Sequence, residues 1–380
     1  MAATVSWRSI FSVNSNLTAK IRFMKTAGIA QYRLLNQQLS APAFKTAGEV
    51  VRWMGAMQAQ DYAGAKWSIG VRLPGSTDAG IEKAVGNKEI IRTWALRGTW
   101  HWVAPADVHW MLRMVSPIIQ RKYTPHLLKE SLDKAAVKKS NNILVKALQD
   151  GEVLTREELA EVLKKKGIKA SHYGIGHLLL HASQEQLICM GPRRGKQFTH
   201  VLLDDWVPKE QRYEPADPLA ELALRYYSSH GPATEKDFMW WAGITLGDAR
   251  KGTAAVKDKL ETVVVEGVTY FMPPGLPDLK KNGAVHLLPG FDEYLLGYTD
   301  RSAAVDKAHL HKLAMTANGQ FSATIVAGGQ VRGIWTRTVG TKEVAIETEH
   351  FDKTSQAVQQ AVGTAARRYA KFLGLKVALE

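Results

Sequence analysis

The sequence predicts an α+β protein: three tandem winged-helix motifs, then a β-rich, barrel-like C-terminal region with a closing helix. Two observations carry that prediction. A unit of helices closed by a hairpin recurs three times, and Pro-rich polar stretches at 208–218 and 273–281 set the third unit apart from strand-like sequence beyond it. Length agrees, because 380 residues are enough for two or three domains.

The first unit covers residues 26–110. Ile29, Tyr32, Leu34, Leu35 and Leu39 begin a helical pattern, and Thr46 caps a second helix through Val50, Val51, Trp53, Met54 and Met57. A third helix runs from Gly64 through Trp67, Ile69 and Val71 to Pro74, and 81–85 forms a further helical turn. Residues 90–94 and 99–103 read as strands around Arg97-Gly98, a hairpin signal. Residues 1–25 are basic, Ser- and Asn-containing and free of acid, and are expected to be a disordered extension outside the fold.

A basic helical connector spans 111–150, with a break expected at Pro125. Arg121, Lys122, Lys129, Lys134, Lys138, Lys139 and Lys146 face only Glu130 and Asp133, which suits a solvated connector and a phosphate-contacting surface equally well. The second unit, 151–207, opens on the capping-box pattern Thr155-Arg156-Glu157-Glu158 and adds a helix from Ser171. Its strands, 187–190 and 198–201, flank Gly191-Pro192-Arg193-Arg194-Gly195-Lys196. In the third unit, 208–274, a helix covers 218–229, Thr234 caps a short helix, and Thr245 or Asp248 opens another. Strands at 262–266 and 268–272 turn at Gly267. Beyond it, in 275–380, strand-like stretches lie at 285–288, 321–326, 330–338 and 343–348, and 355–372 is an amphipathic helix.

Fifty Lys and Arg against 36 Asp and Glu give a formal charge of +14, which points to a polyanionic partner, most simply nucleic acid; a merely soluble basic protein is the plain alternative. The single cysteine, Cys189, excludes an internal disulfide or a multi-cysteine metal site and fits a reducing cytosol. No apolar run approaches the roughly 20 residues that span a bilayer, so no membrane association is expected. Winged helices bind DNA when the second helix enters the major groove and the wing touches the backbone, so Arg193, Arg194 and Lys196 are candidate phosphate contacts. His177 and His181 have a zinc-compatible spacing, yet three leucines fill most of the gap and no general-base Glu accompanies them; no metal is expected.

Met57-Gln58-Ala59-Gln60-Asp61 is the sharpest chemical feature. On a regular helix positions 58 and 60 lie about 200° apart, so both amides meet one water only at a helix end or kink. A solvated helix terminus is the bland alternative.

Gln58-Ala59-Gln60-Asp61 resembles a motif of the AlkZ-like winged-helix DNA glycosylases. Three further motifs extend the resemblance from about residue 27 to the end: Arg92-Thr93-Trp94 with Leu96-Arg97-Gly98-Thr99-Trp100-His101, Leu288-Pro289-Gly290-Phe291-Asp292-Glu293-Tyr294-Leu295-Leu296-Gly297 with Arg301, and Gly333-Ile334-Trp335-Thr336-Arg337. The family excises alkylated purines, including bulky and crosslinked N7 adducts. Its active site holds two glutamines around an apolar residue, matched here by Gln58, Ala59 and Gln60. A related branch has aspartate at the second position, so Gln60 places this chain with the AlkZ-like branch.

The resemblance implies three winged helices around a concave basic cleft and a β-hairpin near the lesion. Residues 328–337 are the first candidate for that hairpin and the 191–196 wing the second; Gln330, Arg332, Trp335 and Arg337 thereby join the expected DNA contacts. It also implies a monofunctional DNA glycosylase in which Gln58 and Gln60 position water and no cofactor takes part; Asp61, three residues from Gln58, is expected to cap locally or pair with an Arg or Lys, with an auxiliary electrostatic role as the alternative. No motif places a Schiff-base lysine. The expected partner is double-stranded DNA carrying alkylated purines, with no obligatory protein partner, in the cytoplasm at the nucleoid. A non-catalytic winged-helix regulator or architectural factor is the rival. Of the tryptophans, Trp53, Trp67, Trp94, Trp100, Trp102 and Trp110 are expected to pack cores and hairpins, and Trp335 is the better candidate for base stacking. Asp292 and Arg301 are expected to pair structurally.

Overall fold

The computed structural model describes residues 22–23, 26–279, 283–313 and 321–379. It is an α+β protein with three three-stranded sheets, each packed with helices, and one five-stranded sheet. Chain order in the first part is β1 (Arg22–Phe23), α1 (Thr26–Asn36), α2 (Ala47–Met54), β2 (Ala56–Gln58), α3 (Tyr62–Gly70), α4 (Asp78–Gly86), β3 (Ile91–Trp94) and β4 (Trp100–Val103). Next come α5 (Pro105–Lys129), α6 (Lys134–Ala147), β5 (Leu154–Thr155), α7 (Arg156–Lys165), α8 (His172–Gln184), β6 (Ile188–Met190), β7 (Thr199–Leu202) and α9 (Leu203–Trp206). The third sheet region has α10 (Pro218–His230), α11 (Glu235–Ala242), α12 (Leu246–Val256), β8 (Glu261–Val265) and β9 (Val268–Met272). The remainder is β10 (Val285–Leu288), α13 (Glu293–Leu296), β11 (Thr324–Ala327), β12 (Gln330–Val339), β13 (Glu343–His350), α14 (Gln356–Leu373) and β14 (Lys376–Leu379).

Local signals explain most helix starts. Thr46, Thr155 and Thr234 each close a capping box, and Ser171, Thr245 and Ser355 accept from the backbone of the first turn. Each bond satisfies an amide that the helix leaves orphaned.

Four expectations need correction. Arg22–Phe23, placed outside the fold by the sequence, pairs in parallel with Val263 and Val264 of β8; residues 1–21 lie outside the described residues. The helix from Thr46 stops at Gly55, whose φ of +77° suits a residue without Cβ, and the chain leaves it as β2. Helix α5 continues through Pro117 and Pro125 to Lys129, so the break falls four residues beyond Pro125. Strand β14, unannounced by the sequence, adds in parallel to β13 and completes the order β10-β11-β12-β13-β14.

That five-stranded sheet is a curled half-barrel with two separate edges, not a closed barrel. Trp335 and Tyr369 meet edge to face between β12 and α14, in a core continuous with Val50, Met57 and Trp102 of the first sheet region. A second core joins the β3/β4 hairpin and α5 to α10 and α11 around Trp110 and Trp241; a third, around Leu144, Leu163 and Leu178, holds α6, α7 and α8.

The first core is closed by a buried ion pair. Asp292 accepts from both terminal nitrogens of Arg72, at 2.7 and 2.8 Å, rather than from the expected Arg301. Arg301 instead donates to Leu295 O and stands 4.6 Å over the Phe321 ring. Arg72 also donates to Gln37 O, Gln37 Oε1 and Ser68 O, so its whole fork is engaged. Burial alone would raise the pKa of Asp292, but the charge and hydrogen bonds of Arg72 outweigh it and hold the carboxyl below its ordinary value. Arg72→Met leaves that carboxylate buried without its partner. We expect a loss of about 3–5 kcal/mol in urea unfolding, with Arg301→Met far milder.

Candidate active site

Gln58 ends β2. Its backbone lies opposite His101 of β4, and Ala59 extends the ladder by donating to Trp100 O at 2.7 Å. Gln58 therefore stands at a strand end rather than in a helix, and the chain leaves the strand through the buried Ala59 and the exposed Gln60.

The two amides differ in freedom. Gln58 is 6% exposed, and its Oε1 accepts from the backbone of Ala59 (2.8 Å) and Gln60 (3.0 Å). Nε2 donates to Thr99 Oγ1 at 3.2 Å, which uses one of its two hydrogens. Gln60 is exposed. Gln58 thus fixes the turn that presents Gln60.

Two buried groups brace this turn, neither of them given a role by the sequence. Glu293 Oε1 accepts from Gln58 N at 2.7 Å, and its Oε2 accepts from Trp241 Nε1 at 3.1 Å. Burial alone would raise the Glu293 pKa; the approach of His230, 3.5 Å away, and the charge of Arg97 outweigh it and hold the carboxyl low. Arg92 donates through Nε and Nη2 to Ala59 O, at 3.1 and 2.9 Å, and burial pulls its pKa down to about 10. Around it the faces of Tyr62, Trp100 and Phe198 lie 4.4–5.4 Å from the guanidinium carbon. Both stand in motifs that carry the family resemblance, Arg92 on a strand and Glu293 in an apolar stretch, which was their trace in the sequence.

Asp61 follows directly and stands 3.6 Å from Arg337 Nη2, so β12 brings Arg337 to the glutamine turn. The other residues expected on that strand lie elsewhere. Gln330 is roughly 23 Å farther along at about 3.3 Å per residue, and bonds Ala303 O. Arg332 is exposed near the same end. Trp335 is 2% exposed, donates to Leu288 O and packs on Tyr369, so the expected stacking residue is a core residue.

The expected hairpin turn is also displaced. Gly328-Gly329 backs onto α1, where a Cβ on Gly329 would meet that of Ala30 at 3.0 Å. The exposed turn of β12 and β13, residues 340–342, lies on the Arg337 side instead.

At the turn between β6 and β7, expected as the second wing, Arg193 reaches back to α4 and forms a two-pronged pair with Glu82, at 2.9 and 3.0 Å, 4.9 Å over the Tyr62 ring. It docks the wing on the first unit. Arg194 pairs with Glu158 at 2.6 Å, and Lys196 is exposed. Beside the turn opens a hollow of about 380 Å³ lined by Arg92, Trp94, Trp100, Lys196, Phe198 and His200 among others. Trp94 and Trp100 are half-buried, pair across the β3/β4 hairpin and pack against the neighbouring cores as expected, and also line this hollow. His177, the zinc candidate, stacks on His126 at 5.1 Å.

A family model for AlkZ-like DNA glycosylases matches residues 51–372, which includes the glutamine turn, its braces and strands β10 to β13 of the half-barrel. The chain belongs to the AlkZ-like DNA glycosylase family. It is accordingly a hydrolase that acts on DNA. A Streptomyces sahachiroi protein described as an interstrand DNA cross-link repair glycosylase is 26% identical over 366 residues, covering 90% of this chain and 95% of the relative. The solved structure of the Streptomyces sahachiroi DNA glycosylase AlkZ superposes with a TM-score of 0.76 at 24% identity, over 94% of this chain and all of the other, and shows the shared fold. No helix among the described residues is long and apolar enough to cross a membrane.

Burial also sets an acid limit on this AlkZ-like enzyme. Desolvation pulls the pKa of His101 down to about 3 and those of His200 and His286 to about 4, against an ordinary 6.5. The folded state keeps them neutral while the unfolded chain protonates below 6.5. Their contribution is present above that pH and lost as pH falls toward 4. Urea midpoints measured from pH 7 to 4.5 should fall steeply, and His286→Phe should remove about one proton, roughly 1.4 kcal/mol per pH unit, from the slope.

Proposed function

We propose that the protein hydrolyses the N-glycosidic bond of N7-alkylated purines in duplex DNA, bulky and interstrand-crosslinked adducts included. One observation carries this: the buried amide of Gln58 is fixed by the backbone of Ala59 and Gln60 in a braced turn that leaves Gln60 exposed. Such a pair suits a substrate that is already a good leaving group. Alkylation at N7 makes the base cationic, so the bond needs a placed water and little acid catalysis. Gln60 holds the water, the second Nε2 hydrogen of Gln58 orients it, and amide oxygen faces the oxocarbenium-like sugar. Asp61, paired with Arg337, is an electrostatic auxiliary.

The units at 26–110, 151–207 and 208–274 act as three winged helices around a basic cleft. Exposed Lys134, Lys138, Lys139 and Lys146 on α6, with Arg121, Lys122 and Lys129 on α5, supply phosphate contacts, and the β12/β13 turn approaches the lesion. No cofactor is required, and the enzyme works in the cytoplasm at the nucleoid. The relative named for cross-link repair supports the bulky end of the substrate range.

Duplex DNA carrying one N7-methylguanine tests this. Wild type should release the base and leave the abasic strand uncut, and Gln60→Ala should lower kcat by roughly 10²-fold. Equal release by wild type and the Gln58→Ala/Gln60→Ala double variant, or release by neither, overturns the assignment.

A further inference from the structure

The amide of Gln58 is held in one sense only. Its Oε1 faces two backbone donors, Ala59 N at 2.8 Å and Gln60 N at 3.0 Å, the first of them shared with Trp100 O. A backbone N–H cannot accept, so the atom that meets both is the carbonyl oxygen; a flipped amide would set its NH2 against them. The other end of the amide meets Thr99 Oγ1 at 3.2 Å. That hydroxyl spends its own hydrogen on Leu96 O, 3.3 Å away, and therefore accepts from Gln58 Nε2.

Thr99 is in turn fixed from behind. Its carbonyl stands 2.9 Å from His101 Nδ1, and Arg97 Nη2 lies 3.4 Å from Nε2 of the same ring. A guanidinium only donates, so Nε2 carries the lone pair and Nδ1 the proton that Thr99 O accepts. Burial, with Arg97 beside it, pulls the His101 pKa down to about 3 and keeps the ring in that neutral form. Arg97 reaches His101 from a left-handed backbone, φ +60°, which a residue with a side chain adopts only where its surroundings hold it there. Its tip is anchored on Trp241 O, and Gly243 leaves it room, since a Cβ there would stand 2.8 Å from Arg97 Cγ.

Two roles are open to Thr99. Its methyl could pack the half-buried turn, or its hydroxyl could choose the sense of the Gln58 amide. The bond directions favour the second: from Arg97 through His101 and Thr99 to Gln58 each donor meets an acceptor, and among the described residues the amide has no further partner.

We propose that Thr99 is a positioning residue: it accepts from Gln58 Nε2 and so commits Gln58 to meet the attacking water as a hydrogen-bond donor, leaving the acceptor's part to Gln60. Gln60 is exposed, and its side chain makes no bond among the described residues. In the step served, the water oxygen bonds the sugar C1′, the C1′–N9 electron pair leaves with the base, which departs neutral, and the water proton passes to solvent. The inference rests on the N7-alkylpurine reading above and deepens it.

Single-turnover excision of N7-methylguanine from duplex DNA by the full chain, with enzyme in excess, tests it. The readouts are the limiting rate and the enzyme concentration that gives half of it. Thr99→Val keeps the shape and a methyl but removes the acceptor; Thr99→Ser keeps the hydroxyl and removes the methyl. The limiting rate should fall about tenfold in Thr99→Val with half-saturation unmoved, and Thr99→Ser should recover most of the loss. A packing role gives the opposite order. Gln58→Glu is an independent arm. Its carboxylate still accepts from Ala59 N and Gln60 N but has no hydrogen to offer, so its limiting rate should drop as far as that of Gln58→Ala. This arm decides the matter if Thr99→Val fails to fold. A wild-type rate in Thr99→Val or in Gln58→Glu overturns the positioning role while leaving N7-alkylpurine excision standing. So does a loss in Thr99→Ser as large as that in Thr99→Val, or a Thr99→Val loss confined to half-saturation. No excision by wild type, or full excision by Gln58→Ala, overturns the underlying reading and the positioning role with it.

Discussion

The Arg72–Asp292 pair is the constraint on which the site depends. It ties the end of α3 to the residue that caps α13, and through Gln37 it reaches the end of α1. Two buried charges are costly unless their hydrogen-bonding capacity is filled, and here the whole guanidinium fork and Ser68 Oγ fill it. The next residue after Asp292 is Glu293. With Asp292 fixed, Glu293 has one place to go, between Gln58 N and Trp241 Nε1.

The glutamine turn is thereby assembled from parts that are remote in the chain. Thr99 and Arg92 come from the hairpin, Glu293 from the segment before the half-barrel, Trp241 from α11 and Arg337 from β12. None of these elements can shift without moving Gln58 or a group that touches it. A site whose task is to place water gains most from such rigidity, because positioning is worth little if the donors must reorganise during reaction.

What was legible in the sequence follows the range of the forces involved. Capping boxes at Thr46, Thr155 and Thr234 are written within four residues, and those helices start where expected. The hairpin at 91–103 and the β12/β13 pair are likewise local. Strand β2 was misread as helix because its identity comes from pairing with β4, more than forty residues later, while Met57 happens to continue the helical spacing of α2. Arg193 looked like a phosphate contact since Glu82 is 111 residues away. Trp335 looked like a stacking residue because β12 alternates, and only α14 shows which face is covered. The glutamine motif itself was legible through resemblance, whereas its strand-end geometry was not.

The charge of +14 and the chemistry occupy different places, and electrostatics gives the reason. A cationic base would be repelled by free cations at the bond to be broken. The arginines nearest the glutamines are each moderated: Arg337 faces Asp61, and Arg92 lies against aromatic faces with two of its nitrogens on Ala59 O. Exposed lysines on α6 stand in solvent, suited to phosphates whose negative charge is spread along the duplex. Affinity can then come from distant cations while the reacting centre stays close to neutral. On the function proposed above, neutral amides are sufficient there because the lesion itself carries the activating charge.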